Sequence, residues 1–324
     1  SRADDRFMTF PWINSIISRR HDRLPSQGWG FAGTIAIRPF DPAVDRGGYN
    51  NEQILSSTLF RLYRSIGGDA VDLDTRRFAA RMSVYLILKA ISTLTPATNP
   101  TTGQAFARAL MNADADDWPR GGVAGGAYRK VIRWAFEKQG AFQAPGKPVP
   151  NNDAGDPSAI DVYIEDGRGG EYVYQPDFTA TASIWNRRAD DNGTDHQDPV
   201  VGETNFAYVI IKNRGTEPAT GVTVEAFHAD AGADLVYPTS WQPMATPSLA
   251  APTVAPHSAA EVVVGPFRWV PRPAVQECLL MVVSAPGDES NIAHLKPSAV
   301  LPHWRLVPND NNIGQRNVTT VAGP

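Results

Sequence analysis

A chain of 324 residues with 42% hydrophobic and 20% charged content has the composition of an ordinary folded protein and is long enough for two domains. A formal net charge of -4 and a pI near 5.9 provide no single-sign field, which excludes non-specific binding to nucleic acid or to an anionic membrane surface. The apolar runs, such as "VYLILKAI" at 84–91, are far too short to span a bilayer and carry a lysine, so membrane insertion is not expected.

The chain opens on "SRADDRF", with neither an initiator methionine nor a charged leader before an apolar stretch, and is read as trimmed from something longer. From Asn51 to Gly67 the residues Ile54, Leu55, Thr58, Leu59, Leu62, Tyr63 and Ile66 recur at helical spacing, with Arg61 and Arg64 on the other face. Its entrance, Tyr49, Asn50, Asn51 and Glu52, is polar. Asn50 can cap the first turn, Gln53 occupies the matching capping-box position, and Gly67-Gly68 supplies a left-handed stop.

A second helix is expected through "DTRRFAARMSVYLILKAIST", capped by Asp74 and ended at Thr95-Pro96, with Phe78, Met82, Tyr85, Leu86 and Ile91 available for a core. A shorter one covers "TGQAFARALMNA". The acidic run at Asp114, Asp116 and Asp117 resembles the start of a calcium loop. Pro119 and the missing glycine and distal glutamate break that pattern, so it is read as a solvated turn. "GGVAGGAYRK" does not set its lysine directly after the last glycine, as a phosphate cradle requires, and reads as a turn before a helix. That helix, "AYRKVIRWAFEKQG", buries Tyr128, Val131, Ile132, Ala135 and Phe136 and stops at Gly140.

The character then changes. Residues 144–159 are rich in proline, glycine and asparagine, and beyond them "DVYIED", "FAYVIIKNRG", "GVTVEAFHA", "AEVVVGPFRWV" and "ECLLMVVSA" are short, β-branched and alternating, with turn clusters between them. The expected class is α+β: a mainly helical part over 1–145, a linker over 146–158, and an immunoglobulin-like β-sandwich with a C-terminal tail over 159–324. The two parts are expected to separate at the linker, the sandwich having a core of its own. Trp185, Trp241, Trp269 and Trp304 are read as core or sheet-edge packing, and the single cysteine, Cys278, as a buried strand thiol.

No H-E-x-x-H, G-x-S-x-G or strand-borne G-x-G-x-x-G occurs. The six histidines, His21, His196, His228, His257, His294 and His303, include no pair at i,i+4, so no zinc site is read on this chain. His21, between Arg20 and Asp22, reads as part of a surface salt-bridge cluster. The sequons at Asn192 and Asn317 bear on structure only in a glycosylating cell.

The stretches "DDRFMTFPWINSIISRRHDR", "GWGFAG" and "GGYNNEQILSSTLFRLYRSIGGD" resemble the segment that follows the metal-binding helices in large secreted zinc metallopeptidases of the fungalysin and thermolysin-like group. The resemblance implies that Tyr49 stands where those enzymes present a histidine that steadies the tetrahedral intermediate, with Asn50 beside it on the oxyanion side. A phenol donates a hydrogen bond but does not titrate near neutrality as imidazole does. It also implies that zinc is held only through an upstream segment or a partner chain. "DPVVGETNFAYVIIKNRGTEPATGVTVEAFHA", "VVVGPFRWVP", "CLLMVVSAPGDESN" and "DNNIGQRNV" are similar to the CARDB-type immunoglobulin-like modules appended to secreted bacterial enzymes and surface proteins. Here "KNRGT" is expected to join two strands through Gly215, and the asparagines to lie in an edge loop before the closing strand. Together the two likenesses imply an extracellular protein whose partners are a peptidase segment and a protein or cell-surface ligand. The alternative is a non-catalytic surface or assembly protein on the same scaffold.

Overall fold

The computed structural model describes residues 8–9, 19–20, 30–32, 35–37, 52–144, 147, 150, 153–232, 234–273 and 276–323. The chain divides into two compact units, residues 1–114 with 131–156 and residues 115–130 with 157–324. The stretch 115–130, which the sequence groups with the helical part, falls with the sandwich.

In the first unit two short antiparallel ribbons come first. One joins β1 (Met8–Thr9) and β2 (Arg19–Arg20), and the other joins β3 (Gly30–Ala32) and β4 (Ile35–Ile37). Helix α1 (Glu52–Tyr63) follows. Ile54, Thr58 and Leu62, four residues apart, form its buried stripe, and the Thr58 hydroxyl returns to the Ile54 carbonyl at 2.8 Å. A widened turn at Arg64–Gly68 ends it, with Gly67 at φ 129°, a value that a side chain would strain.

Helix α2 (Leu73–Ser92) is capped by Asp72, whose carboxylate accepts from the Thr75 N–H at 2.7 Å. The sequence placed the cap two residues later, at Asp74. Asp74 lies instead inside the first turn, paired with Arg77, because the extended backbone needed at a cap falls at Asp72. Helix α3 (Gly103–Asp114) ends on a buried Asp114, not a solvated one. Helix α4 (Arg129–Glu137) sends Val131, Ile132, Ala135 and Phe136 into the core, where Phe136 meets Phe106 edge-on at 6.2 Å. Arg61 fixes the α1 stripe by donating to the Ala135 carbonyl at 2.8 Å and to Gln139 Oε1 at 3.1 Å.

The second unit is an immunoglobulin-like sandwich of two antiparallel sheets. One has the order β10-β8-β12-β14, and the other β11-β7-β5 with β6 also on β7. The strands are β5 (Val162–Ile164), β6 (Ile184–Arg187), β7 (Asn205–Asn213), β8 (Thr223–Asp230), β10 (Gln242–Ala250), β11 (Val262–Trp269), β12 (Gln276–Ser284) and β14 (Ile313–Thr319). A minor ribbon pairs β9 (Val236–Tyr237) with β13 (Leu301–Pro302), and a short helix α5 (His303–Leu306) follows. Alternation chooses the inward residues: Ala207, Val209 and Ile211 from β7 pack with Leu279, Met281 and Val283 from β12 in one core that both sheets share. In register, Met281 lies opposite Ala226 and Val283 opposite Val224.

Cys278 is buried and free on β12. Trp185, Trp241 and Trp269 are buried, the Trp269 indole N–H donating to Asn186 Oδ1 at 2.9 Å. Trp304, on α5, is 45% exposed.

Candidate functional site

Tyr49 and Asn50, the sequence's candidates for the oxyanion side, lie outside the described residues, as do Asn51 and His21. The strongest concentration of chemistry among the described residues lies elsewhere, in the polar centre of the second unit. Its sequence signal is "NDNN" at 309–312, read as asparagines in an edge loop. The loop does precede the closing strand β14, but all four residues are buried. They are buried because each finds partners inside the fold, as a buried polar group must.

Four backbone segments converge there. The turn after β12 brings Asp288, and the segment before β14 brings Asp310, Asn311 and Asn312. The residue before β5 is Asp161. The start of α4, which groups with this unit, brings Lys130. The Lys130 ammonium bonds directly to Asp288 Oδ1, with the two side chains 11% and 10% exposed. The other oxygen of Asp288 accepts the Val162 N–H at 2.7 Å and the Asn312 amide at 3.3 Å. Asp310 accepts from the Ser290 hydroxyl at 2.7 Å and from the backbone N–H of Asn291 at 2.6 Å and of Asn312 at 3.0 Å. Asp161 is held by Arg214 Nε at 2.7 Å and the Asn311 amide at 2.8 Å. The Asn311 carbonyl oxygen in turn accepts the Tyr172 hydroxyl at 2.6 Å.

Burial dominates the electrostatics. It lifts the Asp288 carboxyl to about 6 and raises Asp310, because an ion loses hydration there. It also works hardest against the Lys130 ammonium, but the charges of Asp288, Asp310 and Asp161 outweigh it and hold the lysine above its ordinary value. Tyr172 is raised well above its usual value by the same burial and by the neighbouring carboxylates. Within this centre, Asn312 Oδ1 is buried with no hydrogen-bond partner among the described residues.

Asn291 stitches the stretch 115–130 to this centre. It accepts the Lys130 N–H at 3.2 Å and donates to the Ala127 and Asn309 carbonyls at 3.0 and 3.2 Å. A second dyad is buried within the sandwich, where His228 Nδ1 and Glu277 Oε2 are 2.8 Å apart beside the Trp269 ring. No group of three or more His, Cys, Asp or Glu among the described residues could hold a metal ion.

No protein-family model and no curated protein matches the chain. Solved structures do. The CARDB domain of a Pyrococcus furiosus protein, in complex with di-metal ions, aligns over 44% of this chain and 93% of its own, with 13% identity and a TM-score of 0.25. AvmM, which catalyses macrocyclization in alchivemycin A biosynthesis, aligns over 46% of this chain and 95% of its own, with 18% identity and a TM-score of 0.24. A crustacean hemolymph-type prophenoloxidase aligns over 60% of this chain and 38% of its own, with 12% identity and a TM-score of 0.29. Likeness at this level does not extend to ligand or activity.

Proposed function

We infer that the chain is the C-terminal part of a secreted zinc metallopeptidase of the fungalysin and thermolysin-like group. Its helical unit completes the lower wall of a substrate cleft, and its sandwich docks the enzyme on a protein or cell-surface ligand outside the cell. The run Arg46 to Asp69 carries this reading. Its order of residues resembles the segment beside the active site in that group, and its apolar spacing builds a helix, α1, with one buried stripe at Ile54, Thr58 and Leu62.

In this reading the zinc ligands and the general-base glutamate belong to an upstream segment or a separate chain. The described residues contain no set that fits the metal. The part left to this chain is hydrogen bonding at the cleft mouth, where the Tyr49 hydroxyl and the Asn50 amide would face the oxygen on which charge develops. The sandwich, whose polar interior is engaged in its own network, would supply recognition through its surface. That self-contained network also favours the second reading, a non-catalytic extracellular surface or assembly protein.

Native material decides between them. Intact-mass and N-terminal analysis should recover an upstream segment or co-purifying chain bearing H-E-x-x-H, with one zinc per complex. In that complex Tyr49→Phe should cut turnover by about 10²-fold at unchanged melting temperature, as loss of an oxyanion donor does. Repeated recovery without such a segment, or unchanged turnover in Tyr49→Phe, rejects the peptidase reading or the role of Tyr49 respectively.

A further inference from the structure

We propose that the Lys130 amine and the Asp288 carboxyl condense into an intramolecular isopeptide bond, closing the chain covalently between the entrance of α4 and the turn after β12. The step is a condensation without redox change. From the ion pair one proton passes from Nζ to Oδ1, giving a neutral amine and a carboxylic acid. The nitrogen lone pair then attacks Cγ. As the tetrahedral intermediate collapses, a second proton leaves Nζ, is passed on to the Oδ1 hydroxyl, and the Cγ–Oδ1 bond breaks. Oδ1 departs as water, and an amide remains.

The surroundings supply what this step requires. Nζ and the carboxyl are in direct contact across 158 residues of sequence, so the fold has already met the entropic cost of bringing them together. Oδ2 is the oxygen that becomes negative in the tetrahedral intermediate, and two donors fixed by the fold already aim at it, the Val162 N–H and the Asn312 amide. Oδ1, the oxygen facing the lysine, is the one that must leave.

Proton transfer needs a carboxylate free of a guanidinium. Asp161 is committed to Arg214, whereas the hydrogen-bond donors on Asp310 are a hydroxyl and two backbone amides. Asp310, whose charge acts on the lysine, is therefore the carboxylate that takes the second proton from Nζ and relays it to the departing Oδ1 hydroxyl. Asn312 Oδ1, buried beside the pair and without a partner, offers an acceptor for an Nζ–H during the attack.

Burial favours the neutral forms of both partners, and it lifts Asp288 into a range where the acid form is accessible near neutrality. The carboxylates hold the lysine charged at rest, so the reaction is slow. A maturation that occurs once per molecule tolerates a slow step. Exclusion of water then protects the amide from hydrolysis.

Mass spectrometry of the purified full-length chain tests this. After folding and incubation, the denatured protein should weigh one water less than its sequence, about 18 Da. A protease digest should yield one branched peptide joining the residues around Lys130 to those around Asp288. Lys130→Arg and Asp310→Ala should each restore the full sequence mass. If either variant fails to fold, the wild-type mass and digest still decide. Full mass with separate peptides overturns the proposal. So does a water loss mapped elsewhere, as a succinimide at Asp166-Gly167 would give, or a branched peptide that survives Asp310→Ala with undiminished yield.

Discussion

Arg305 and Tyr128 hold each other inside the second unit: Arg305 Nε donates to the Tyr128 hydroxyl at 3.2 Å, and its guanidinium carbon stands 5.3 Å from the centre of the same ring. Another nitrogen of Arg305 donates to the Ala124 carbonyl at 2.9 Å. One buried side chain from α5 thus satisfies two groups on the stretch 115–130. Arg305→Ala should lower the unfolding free energy by about 1–3 kcal/mol, since it orphans buried acceptors and removes a cation–π contact. Urea melts of the two proteins measure it, and coincident midpoints would mean the contact is dispensable.

The same contacts bear on where the chain can be cut. A fragment of residues 159–324 lacks Ala124, Ala127, Tyr128 and Lys130, the partners of Arg305, Asn291 and Asp288. Leaving buried polar groups and a charge unpaired is costly. The fragment should therefore unfold at lower denaturant than the sandwich within the full chain. A synthetic peptide spanning 115–130 should raise its midpoint in a concentration-dependent way. A fragment as stable as the intact sandwich would show that this stretch is incidental to it.

Cys278 should be chemically quiet. Burial raises its thiol to about 11, and Sγ donates to Asn317 Oδ1 at 2.9 Å. The thiolate is the reactive form, so labelling of the native protein at pH 8 should be at least about 10²-fold slower than in denaturant. The sign of the linkage follows. A raised acid contributes stability that is fully present below its unfolded value, and that contribution falls away as pH rises through the folded one. Stability should decline from about pH 9 upward, and less so in Cys278→Ala. Rapid native labelling at pH 8 would contradict the burial argument.

The sequence displayed the sandwich where side chains alternate without interruption. β7, β8, β11 and β12 sit on the runs that carry inward Val209, Val224, Val264 and Met281. β10 was hidden, because Pro243 and Pro247 interrupt it and most of its residues are exposed, which leaves no apolar period to read. The polar centre was hidden for a different reason. Asn309, Asn311 and Asn312 have the composition of a turn, and only the convergence of Asp161, Asp288 and Lys130 from distant parts of the chain makes their burial affordable. The α2 cap missed by two residues, because Asp72 and Asp74 are chemically equivalent and only the backbone angle distinguishes them.

The caps can be told apart by titration. Asp72 bonds to the Thr75 N–H and its carboxyl is lowered by that bond, so Asp72→Ala should reduce stability while Asp74→Ala stays close to wild type. A depressed carboxylate contributes stability that is present above its unfolded value and is lost as pH falls through the folded one. The gap between wild type and Asp72→Ala should therefore be full at pH 7 and close below about pH 3. Thermal melts at the two pH values test it. A gap that persists in acid would assign the effect to helix propensity instead of the cap.

Gly314, on β14, tests how tightly the two sheets are closed. Its backbone is not in the left-handed region, so alanine meets no conformational objection there. A Cβ at this position would sit 2.6 Å from Ile164 Cγ2 and 3.1 Å from Ile184 Cδ1. Both isoleucines belong to the shared core and are buried. Ile164 and Ile184 are β-branched and stiff at χ1, so neither can swing aside without disturbing β5 or β6. Gly314 also lies opposite Met281 of β12, which limits retreat of the strand. Gly314→Ala should therefore destabilise by about 1–3 kcal/mol through overpacking, although the same change on an unconstrained surface strand would stabilise. Pairing it with Ile184→Val removes one of the opposing methyl groups, Ile184 Cδ1. The double variant should recover part of the loss, a coupling that a thermodynamic cycle reads directly. Strictly additive losses would mean that the strands separate to admit the methyl, and that the sheets are less firmly closed at β14 than the contact with Ile184 requires.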